Sequence, residues 1–204
     1  MQSPRDSMIT LNYLHGFNSA ALETDTKVGE LATRFGVHRI NYDSFAPRAS
    51  IIESIAAQSV EGDTTAFIGT SLGGYFAAVM GQRLACPAIL VNPSCDPHWA
   101  LAHYRGMTLE NYKLPDQPPQ TLTSAVVDSY RDTALSTDPA DYPVPPLLVL
   151  DTGDELLDAR ATHKRYASLG AALVFEGGSH RFEHMPEALD GIEAYLSRSP
   201  RSAS

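Results

Sequence analysis

One stretch, residues 64–84, constrains the fold of this 204-residue chain more than any other. It reads TTAFIGTSLGGYFAAVMGQRL: an apolar run of buried-strand length, then the turn Gly69-Thr70-Ser71-Leu72-Gly73, then apolar residues at helical spacing. A serine at the tip of so sharp a turn adopts a strained backbone conformation, so glycines are needed on both sides of it. The stretch therefore predicts a buried strand, a tight turn that presents Ser71, and a helix.

The order of strand, turn and helix is what makes the GxSxG pattern informative. The bare pattern arises by chance in about one chain in fifteen of this length, so it is weak support by itself. With a strand before it and a helix after it, the pattern is typical of a nucleophile elbow, in which the serine hydroxyl is exposed above the end of a sheet. Ser71 is therefore the candidate nucleophile.

Composition and charge narrow the classes of partner. Hydrophobic residues make up 43% of the chain, which is enough for one well-buried core. The formal net charge of -9 disfavours nucleic acid and anionic lipid as partners, because both would repel such a surface. We expect a small-molecule substrate and no nucleic-acid partner.

Cysteine usage and the two termini bear on the location of the protein. The two cysteines, Cys86 and Cys95, follow neither a zinc-ligand nor a disulfide pattern. The apolar run near the N-terminus is too short for the core of a signal peptide or for a membrane span. We therefore expect a cytoplasmic protein without a membrane-spanning segment. Residues 199–204 are polar and predict a disordered tail.

Short apolar runs alternate with helical patterns along most of the chain, as in α/β proteins with a parallel sheet. Ser50 and Glu53 form a capping-box pattern that predicts the start of the second helix. The six predicted strands span residues 8–14, 37–42, 66–68, 88–91, 147–150 and 172–175; helices are predicted over residues 24–35, 159–169 and 186–196 and after Ser50 and Ser71. We predict about six parallel strands with helices on both faces, and a functional site beyond the carboxyl ends of the strands.

The region between the fourth and fifth strands breaks this alternation. Residues 93–145 contain eight prolines and several aromatic residues with little helical periodicity. About 50 residues of this composition are too few to bury a core alone, so we interpret them as a lid excursion within a single domain spanning residues 1–198. Its apolar residues fit either a lid for an acyl chain or a cover for the sheet. They are Trp99, Leu101, Tyr104, Met107, Leu109, Tyr112 and Leu114. Of these, we predict Trp99, Tyr104 and Met107 as substrate-binding residues.

A serine nucleophile needs a base to take its proton and an acid to orient that base. In folds with this elbow the three follow in the order serine, acid, histidine. The run LLVL is followed by DTGDE, and the run ALVF is followed by EGGSH. These segments predict Asp154 as the acid and His180 as the base, each just beyond the carboxyl end of a strand.

Other residues compete for both roles. Asp158 is the second candidate for the acid, although its position also suits the N-cap of the following helix. Asp151 ends its strand and can point into the sheet, and Glu155 is a further option. His184 competes with His180 for the role of base.

Two backbone amides are the expected donors to a developing oxyanion. One is the N–H of Leu72, directly after Ser71, and the other is the N–H of Phe17 in the segment HGF after the first strand. Gly16 allows close approach there. His15 precedes Ser71 in the chain, so we interpret it as a structural histidine of this turn.

The segment HRFEH places His180, Glu183 and His184 at spacings that imitate a metal-binding helix face. The segment lacks the HExxH order, and no third ligand follows it. We therefore expect no metal site, and the chemistry of a serine nucleophile needs no cofactor.

Five motifs in the same chain order resemble the small bacterial α/β-hydrolase-fold esterases of the YqiA-like family. They are LNYLHGFNS, IGTSLGGYFA, ILVNPS, DTGDELLD and EGGSH, spread over nearly the whole chain. The resemblance implies a compact α/β-hydrolase fold without the first two strands of larger hydrolases, and it implies Ser71 as nucleophile, Asp154 as acid and His180 as base. Asp154 matches the acid of the related GxxDE pattern through the Glu155 that follows it, and the residue before Gly153 is threonine.

The resemblance implies an esterase or thioesterase that acts on small acyl esters or thioesters. We interpret the chain as a serine esterase; a thioesterase or an amidase would use the same triad, and a non-catalytic binding protein could keep the fold. The intact order of serine, acid and histidine favours an enzyme, because a binding protein has no physical need for all three. A serine at the turn also disfavours the dehalogenase variants of the fold, which need a carboxylate there.

Overall fold

A six-stranded, wholly parallel sheet forms the centre of the computed structural model, which describes residues 8–60, 62, 65–111 and 113–199. In the sheet, β1 is Thr10–Leu14, β2 is Gly36–Ile40, β3 is Thr65–Thr70, β4 is Ala88–Val91, β7 is Leu147–Asp151 and β8 is Ala172–Phe175. Two short strands, β5 (Thr108–Leu109) and β6 (Gln120–Thr121), form a separate antiparallel pair. The helices are α1 (Thr26–Leu31), α2 (Arg48–Gln58), α3 (Leu72–Leu84), α4 (Pro97–Ala102), α5 (Ser124–Asp128), α6 (Ala159–Tyr166) and α7 (Met185–Arg198), and residues Pro139–Asp141 form a 3-10 turn.

The order of the strands across the sheet is β2-β1-β3-β4-β7-β8. From β1 the chain moves to β2 on one side and then crosses to β3 on the other, so β1 and β3 flank the switch point of the topology. In open α/β sheets, ligands bind beyond the carboxyl ends of the strands at such a point. Leu14 at the end of β1 pairs with Gly69, two residues before Ser71. The loop after β1 and the turn at Ser71 therefore emerge side by side.

Helices cover both faces of the sheet, because successive side chains of a strand point to opposite sides. On one face α1 and α7 pack against Leu11 and Ile68, among others. On the other face α2, α3 and α6 pack against Phe67 and Leu90. Every residue of β4 and β7 is buried, which explains why both are apolar runs up to Asp151, the last residue of β7. The predicted fold class, parallel strands with helices on both faces, is confirmed.

The excursion between β4 and β7 packs into the same core as α3. Its residues Leu122, Val127 and Tyr130 have no exposed surface. Trp99 and Met107 differ from them, with 60% and 49% of their surfaces exposed. Most of the apolar residues of the excursion thus cover the core, and a few remain available to a ligand. Tyr112 lies outside the described residues.

The predicted start of α2 is wrong, because a residue distant in sequence caps the helix. The helix begins at Arg48 and no capping box forms at Ser50. The Arg48 N–H instead donates to Ser129 Oγ at 2.9 Å. Glu53 pairs with Arg83 at 2.7 Å. The other predicted strands and helices lie where the patterns place them, with ends that differ by a few residues, and the short elements of the excursion, α4, β5, β6 and α5, were not predicted.

The C-terminal segment is described only in part. Ser199 follows α7, and its N–H donates to the carbonyl oxygen of Tyr195 at 3.0 Å. The remainder of the predicted tail, residues 200–204, lies outside the described residues. Within the part of the chain that the structure describes, no helix has the length and apolar character needed to cross a membrane.

Candidate active site

Ser71 lies in the turn between β3 and α3 in a backbone conformation that side chains rarely adopt. Its φ is 57° and its ψ is -120°, outside the regions open to most L-residues. The strain is sustained because β3 is held by neighbouring strands on both sides and α3 is buried over the sheet. This is the geometry of a nucleophile elbow, in which the hydroxyl projects beyond the carboxyl end of the strand.

Two glycines next to Ser71 are required by close packing. A Cβ on Gly69 would lie 2.3 Å from the carbonyl carbon of Gly73, and a Cβ on Gly73 would lie 2.3 Å from the carbonyl oxygen of Leu14. No side chain fits at either position unless the backbone moves. The second contact also shows that the end of β1 lies directly against the turn.

The structure brings the Asp154 carboxylate and the His180 imidazole together. Asp154 Oδ2 lies 2.9 Å from His180 Nδ1, and the Asp154 side chain is 1% exposed. Asp154 Oδ1 also accepts the backbone N–H groups of Leu156 at 2.9 Å and Leu157 at 2.8 Å, which fix the carboxylate in its loop. Because a carboxylate can only accept, Nδ1 carries the proton, and Nε2 is the basic nitrogen.

Ser71 and His180 line the same cavity. Among the described residues, no hydrogen bond within 3.5 Å joins the Ser71 hydroxyl to the imidazole. Catalytic hydrogen bonds are often long in unliganded enzymes and shorten in the complex with substrate. The arrangement therefore places a serine and an oriented imidazole in one cavity, without a hydrogen bond between them in the structure.

The competing acid and base residues have other partners. Asp158 is the N-cap of α6, where its carboxylate accepts the Ala161 N–H at 2.9 Å. Asp151 is completely buried, and its Oδ1 lies 2.8 Å from Nδ1 of His184. This hydrogen bond raises the pKa of His184. Neither Asp151 nor His184 lines the cavity that contains Ser71.

The loop after β1 runs beside Ser71, where the sequence predicts the second oxyanion donor. A Cβ on Gly16 would lie 3.9 Å from the Ser71 hydroxyl oxygen. Phe17 and Leu72 both line the cavity. Among the described residues, neither of their backbone N–H groups donates to another protein group. Both groups are therefore available to a ligand oxygen.

His15 anchors this loop. Its ring stacks on Tyr42 with centroids 4.2 Å apart, its Nδ1 lies 2.8 Å from the carbonyl oxygen of Gly16, and its Nε2 accepts the Tyr42 N–H at 3.3 Å. Burial lowers the pKa of His15 to about 4, so the ring is neutral near pH 7. These contacts agree with a structural role for His15.

A cavity of about 1100 Å³ opens at Ser71, and its lining residues fall into two chemical sets. The apolar set includes Trp99, Tyr104, Met107 and Leu156, and the ring of Phe17 lies 5.6 Å from that of Tyr104. The polar set includes, besides Ser71 and His180, a group around α1: Thr24, Asp25, Thr26, Lys27, Glu30, Lys113 and Arg181. The cavity can thus accept a ligand that combines apolar and polar parts.

Two lysines of the polar set tie the segment around α1 to other parts of the cavity wall. Lys27 Nζ donates to the carbonyl oxygen of Arg181, the residue after His180, at 2.6 Å. Lys113 Nζ pairs with Asp25 at 2.5 Å. Burial lowers the pKa of Lys27 to about 8. Non-covalent contacts therefore join the segment around α1 both to the loop that carries His180 and to the excursion.

Asn92 and Glu155 bind the backbone of His180, a role that sequence reasoning missed. Asn92 Nδ2 donates to the carbonyl oxygens of Ser179 at 3.0 Å and His180 at 3.3 Å. Glu155 Oε2 accepts the His180 N–H at 2.9 Å, and this bond lowers the pKa of Glu155. The position of Asn92, directly after a buried strand at the carboxyl edge of the sheet, marks it as close to a site but does not show which residues it contacts.

Neither a metal cluster nor a reactive thiol competes with Ser71 among the described residues. In that part of the chain, no group of three His, Cys, Asp or Glu side chains is arranged to hold a metal ion. Burial raises the pKa of Cys86 to about 11 and that of Cys95 to about 12. Both cysteines are free, and both remain protonated thiols near neutral pH.

A comparison of the sequence with models of protein families identifies the family of this chain. A family model described as "Uncharacterised protein family (UPF0227)" matches residues 10–197. The chain belongs to this family. UPF0227 is the YqiA-like family that the five motifs indicate, so the predicted resemblance is confirmed. The match runs from the first residue of β1 into the last turn of α7 and includes every candidate site residue.

Solved structures similar to this UPF0227 chain share its fold at low sequence identity. Est1E from Butyrivibrio proteoclasticus, solved with ferulic acid bound, aligns with a TM-score of 0.68 and 17% identity, covering 97% of this chain and 94% of Est1E. Alpha/beta hydrolase domain-containing protein 10 from mouse aligns with a TM-score of 0.68 and 12% identity, covering 97% and 92%. A structure from work on LipS and LipT, two metagenome-derived lipolytic enzymes, aligns with a TM-score of 0.63 and 12% identity, covering 94% of each chain. These likenesses confirm the α/β-hydrolase fold.

Proposed function

We propose that this UPF0227 chain is a serine hydrolase that cleaves carboxylic esters through an acyl-enzyme. The observation that carries the proposal is the contact of 2.9 Å between Asp154 and His180, at a cavity that also contains Ser71 on its strained turn. A serine, an oriented imidazole and a buried carboxylate in one place have the roles that acyl transfer requires. Structural neighbours described as esterases and lipolytic enzymes support the same reaction class.

In the proposed reaction, His180 Nε2 takes the hydroxyl proton of Ser71 while Oγ attacks the acyl carbon. The Asp154 carboxylate keeps the imidazole in the required tautomer and stabilises the imidazolium. The N–H groups of Leu72 and Phe17 bind the oxyanion of the tetrahedral intermediate. His180 then gives its proton to the leaving alkoxide. Water hydrolyses the acyl-enzyme by the same steps and restores Ser71, so ester and water are the only reactants.

The lining of the cavity favours an ester with an apolar acyl group. Trp99 and Met107 are exposed beside the cavity, and an acyl chain bound there would remove their apolar surface from water. Tyr104 packs between this surface and the loop of Phe17. We assign these residues to substrate binding. The free thiols and the absence of a disulfide framework favour the cytoplasm as the site of action.

A fluorophosphonate probe and a panel of p-nitrophenyl esters test the proposal. We expect the probe to label Ser71, and we expect Ser71→Ala to lower kcat by about 10⁶-fold with the fold intact. The panel includes thioesters of the same acyl groups, because the triad alone does not select the leaving group. Ser168→Ala, an exposed serine near α6, is the matched control and should keep wild-type activity. An unlabelled Ser71, or a Ser71→Ala variant that keeps most of the activity, would refute the proposal.

A further inference from the structure

The loop of residues 177–184, which carries His180, is held in place by side chains and contains no helix or strand. Both polar backbone groups of His180 are bonded in this way. Its N–H donates to Glu155 Oε2, and its carbonyl oxygen accepts from Asn92 Nδ2. The position of the imidazole therefore depends on side chains that come from the ends of other strands.

Asp151, the last residue of β7, accepts three hydrogen bonds from this loop. Its carboxylate is completely buried and accepts from three donors of the loop: the N–H of Ser179 at 3.3 Å, the N–H of Glu183 at 2.8 Å and Nδ1 of His184 at 2.8 Å. Ser179 and Glu183 lie on either side of His180 in the chain. One carboxylate thus fixes the loop both before and after the candidate base.

The surroundings of Asp151 are shaped to let the loop close over it. Gly178 has a φ of +70°, and a Cβ there would lie 1.9 Å from Asp151 Oδ2, so no other residue fits. Asn92 Oδ1 accepts the Asp151 N–H at 2.9 Å, which links the end of β4 to the end of β7. The ring of His184 stacks on Phe175 at the end of β8, with centroids 5.2 Å apart.

The burial of Asp151 makes the loop costly to displace. A buried carboxylate must be hydrogen-bonded, and within the described part of the chain the donors to this one all belong to the loop. Opening the loop would break all three of these hydrogen bonds at once. The closed position of the loop is therefore the stable one while Asp151 is charged.

We propose that Asp151 is a positioning residue for His180, with Asn92 and His184 as its partners. The ionised carboxylate holds the loop so that the imidazole stays beside Ser71. This inference rests on the proposed function, which assigns the base to His180. Asp151 touches neither the substrate cavity nor the reacting atoms, so its effect passes through the loop. A displacement of about 1 Å in a catalytic group can cost about a hundredfold in rate.

The Asp151→Asn variant tests this role because it keeps the shape of the side chain and removes the charge. We expect kcat for the best ester of the panel to fall by about tenfold to a hundredfold while KM stays within about twofold. Labelling of Ser71 should slow in parallel, and hydrogen exchange of residues 177–184 should become faster. Asp158→Ala is the matched control: it removes a carboxylate from the same β7–α6 connection and should lower Tm without changing kcat or exchange in the loop.

The Asn92→Gly variant provides a second test should Asp151→Asn fail to fold. Glycine accepts the φ of 39° at this position and removes the amide that bonds the loop. We expect the same pattern, lower kcat with faster exchange in residues 177–184. Wild-type kcat and wild-type exchange in the folded variants would overturn the proposal, even if Tm fell. If wild-type Ser71 is not labelled at all, the proposed function fails instead, and the exchange data still decide whether Asp151 holds the loop.

Discussion

Two carboxylate–imidazole pairs lie at the same end of the sheet, and they differ in what surrounds the imidazole. In the first pair, His180 lines the cavity that contains Ser71, and the buried carboxylate of Asp154 contacts its Nδ1. In the second, Asp151 and His184 come from the same strand end and the same loop, but neither residue lines that cavity. Contact with a carboxylate is therefore common to both histidines and does not distinguish them. We propose His180 as the base because it also lines the cavity that contains Ser71.

The second pair also contacts the loop that carries the first. The buried carboxylate of Asp151 accepts backbone N–H groups on both sides of His180. Its carboxylate also raises the pKa of His184, which favours the charged imidazolium next to it. We therefore expect the two pairs to have different roles: Asp154 and His180 transfer protons, and Asp151 and His184 hold the loop in position.

Replacing the two imidazoles is the variant pair with the largest expected contrast. His180→Ala should lower kcat by about 10⁶-fold, because the base is lost. His184→Ala removes one of the three loop donors to Asp151, and we expect a loss of no more than about a hundredfold. Both are measured as kcat on one p-nitrophenyl ester, with circular dichroism to confirm folding. Losses of equal size would show that the distinction between the pairs is wrong.

Replacing the carboxylates comes next in size. Asp154→Asn should lower kcat by about 10⁴-fold, because the wrong tautomer of His180 is then favoured. Asp158→Asn should stay near wild type, because asparagine is as good an N-cap as aspartate. The two variants differ only in which carboxylate of the β7–α6 connection loses its charge. A larger loss at Asp158 would transfer the role of acid to that residue.

The free energy of unfolding should also depend on pH, through His184 and a third histidine, His15, and this effect is smaller than the changes in kcat above. Burial lowers the pKa of His15 to about 4, so the unfolded chain binds its proton first, and stability falls as pH drops from about 6.5 to 4, by about 3 kcal/mol at most. His184 acts in the opposite sense. Its pKa is raised in the folded state, so its contribution is full below about pH 6.5 and is lost as pH rises through the folded value.

Denaturant unfolding between pH 4 and 8 measures both effects. His15→Gln should flatten the stability curve between pH 4 and 6.5, and His184→Gln should flatten it above 6.5. A His15→Gln variant with the same acid slope as the wild type would contradict the assignment of a neutral, buried His15.

The candidate nucleophile, acid and base could all be predicted because each follows a strand with a strong local pattern. The turn at Ser71 needs glycines at fixed positions, and Asp154 and His180 lie just beyond the apolar runs LLVL and ALVF. Parallel strands bring their carboxyl ends to one edge, so the alternation of strands and helices is enough to expect these residues at a common site.

The support for the loop could not be predicted in the same way, because it depends on contacts between distant segments. Nothing local to Asn92 indicates that its amide reaches residues 179 and 180, and Asp151 is indistinguishable in sequence from a polar strand end. The start of α2 was misplaced for the same reason. Its first N–H is capped by Ser129, which is 81 residues away. A local pattern ranks candidates well, but it does not show which tertiary partner satisfies a backbone group.

A crystal structure of the protein after reaction with a fluorophosphonate tests the central claim most directly. We predict phosphorus on Ser71 Oγ, with the phosphoryl oxygen about 2.7–3.1 Å from the N–H nitrogens of Leu72 and Phe17. We also predict His180 Nε2 within about 3.2 Å of Ser71 Oγ, with Asp154 still at Nδ1. An adduct on Ser71 in which His180 stays beyond hydrogen-bonding reach, or in which the oxygen points away from both N–H groups, would contradict it.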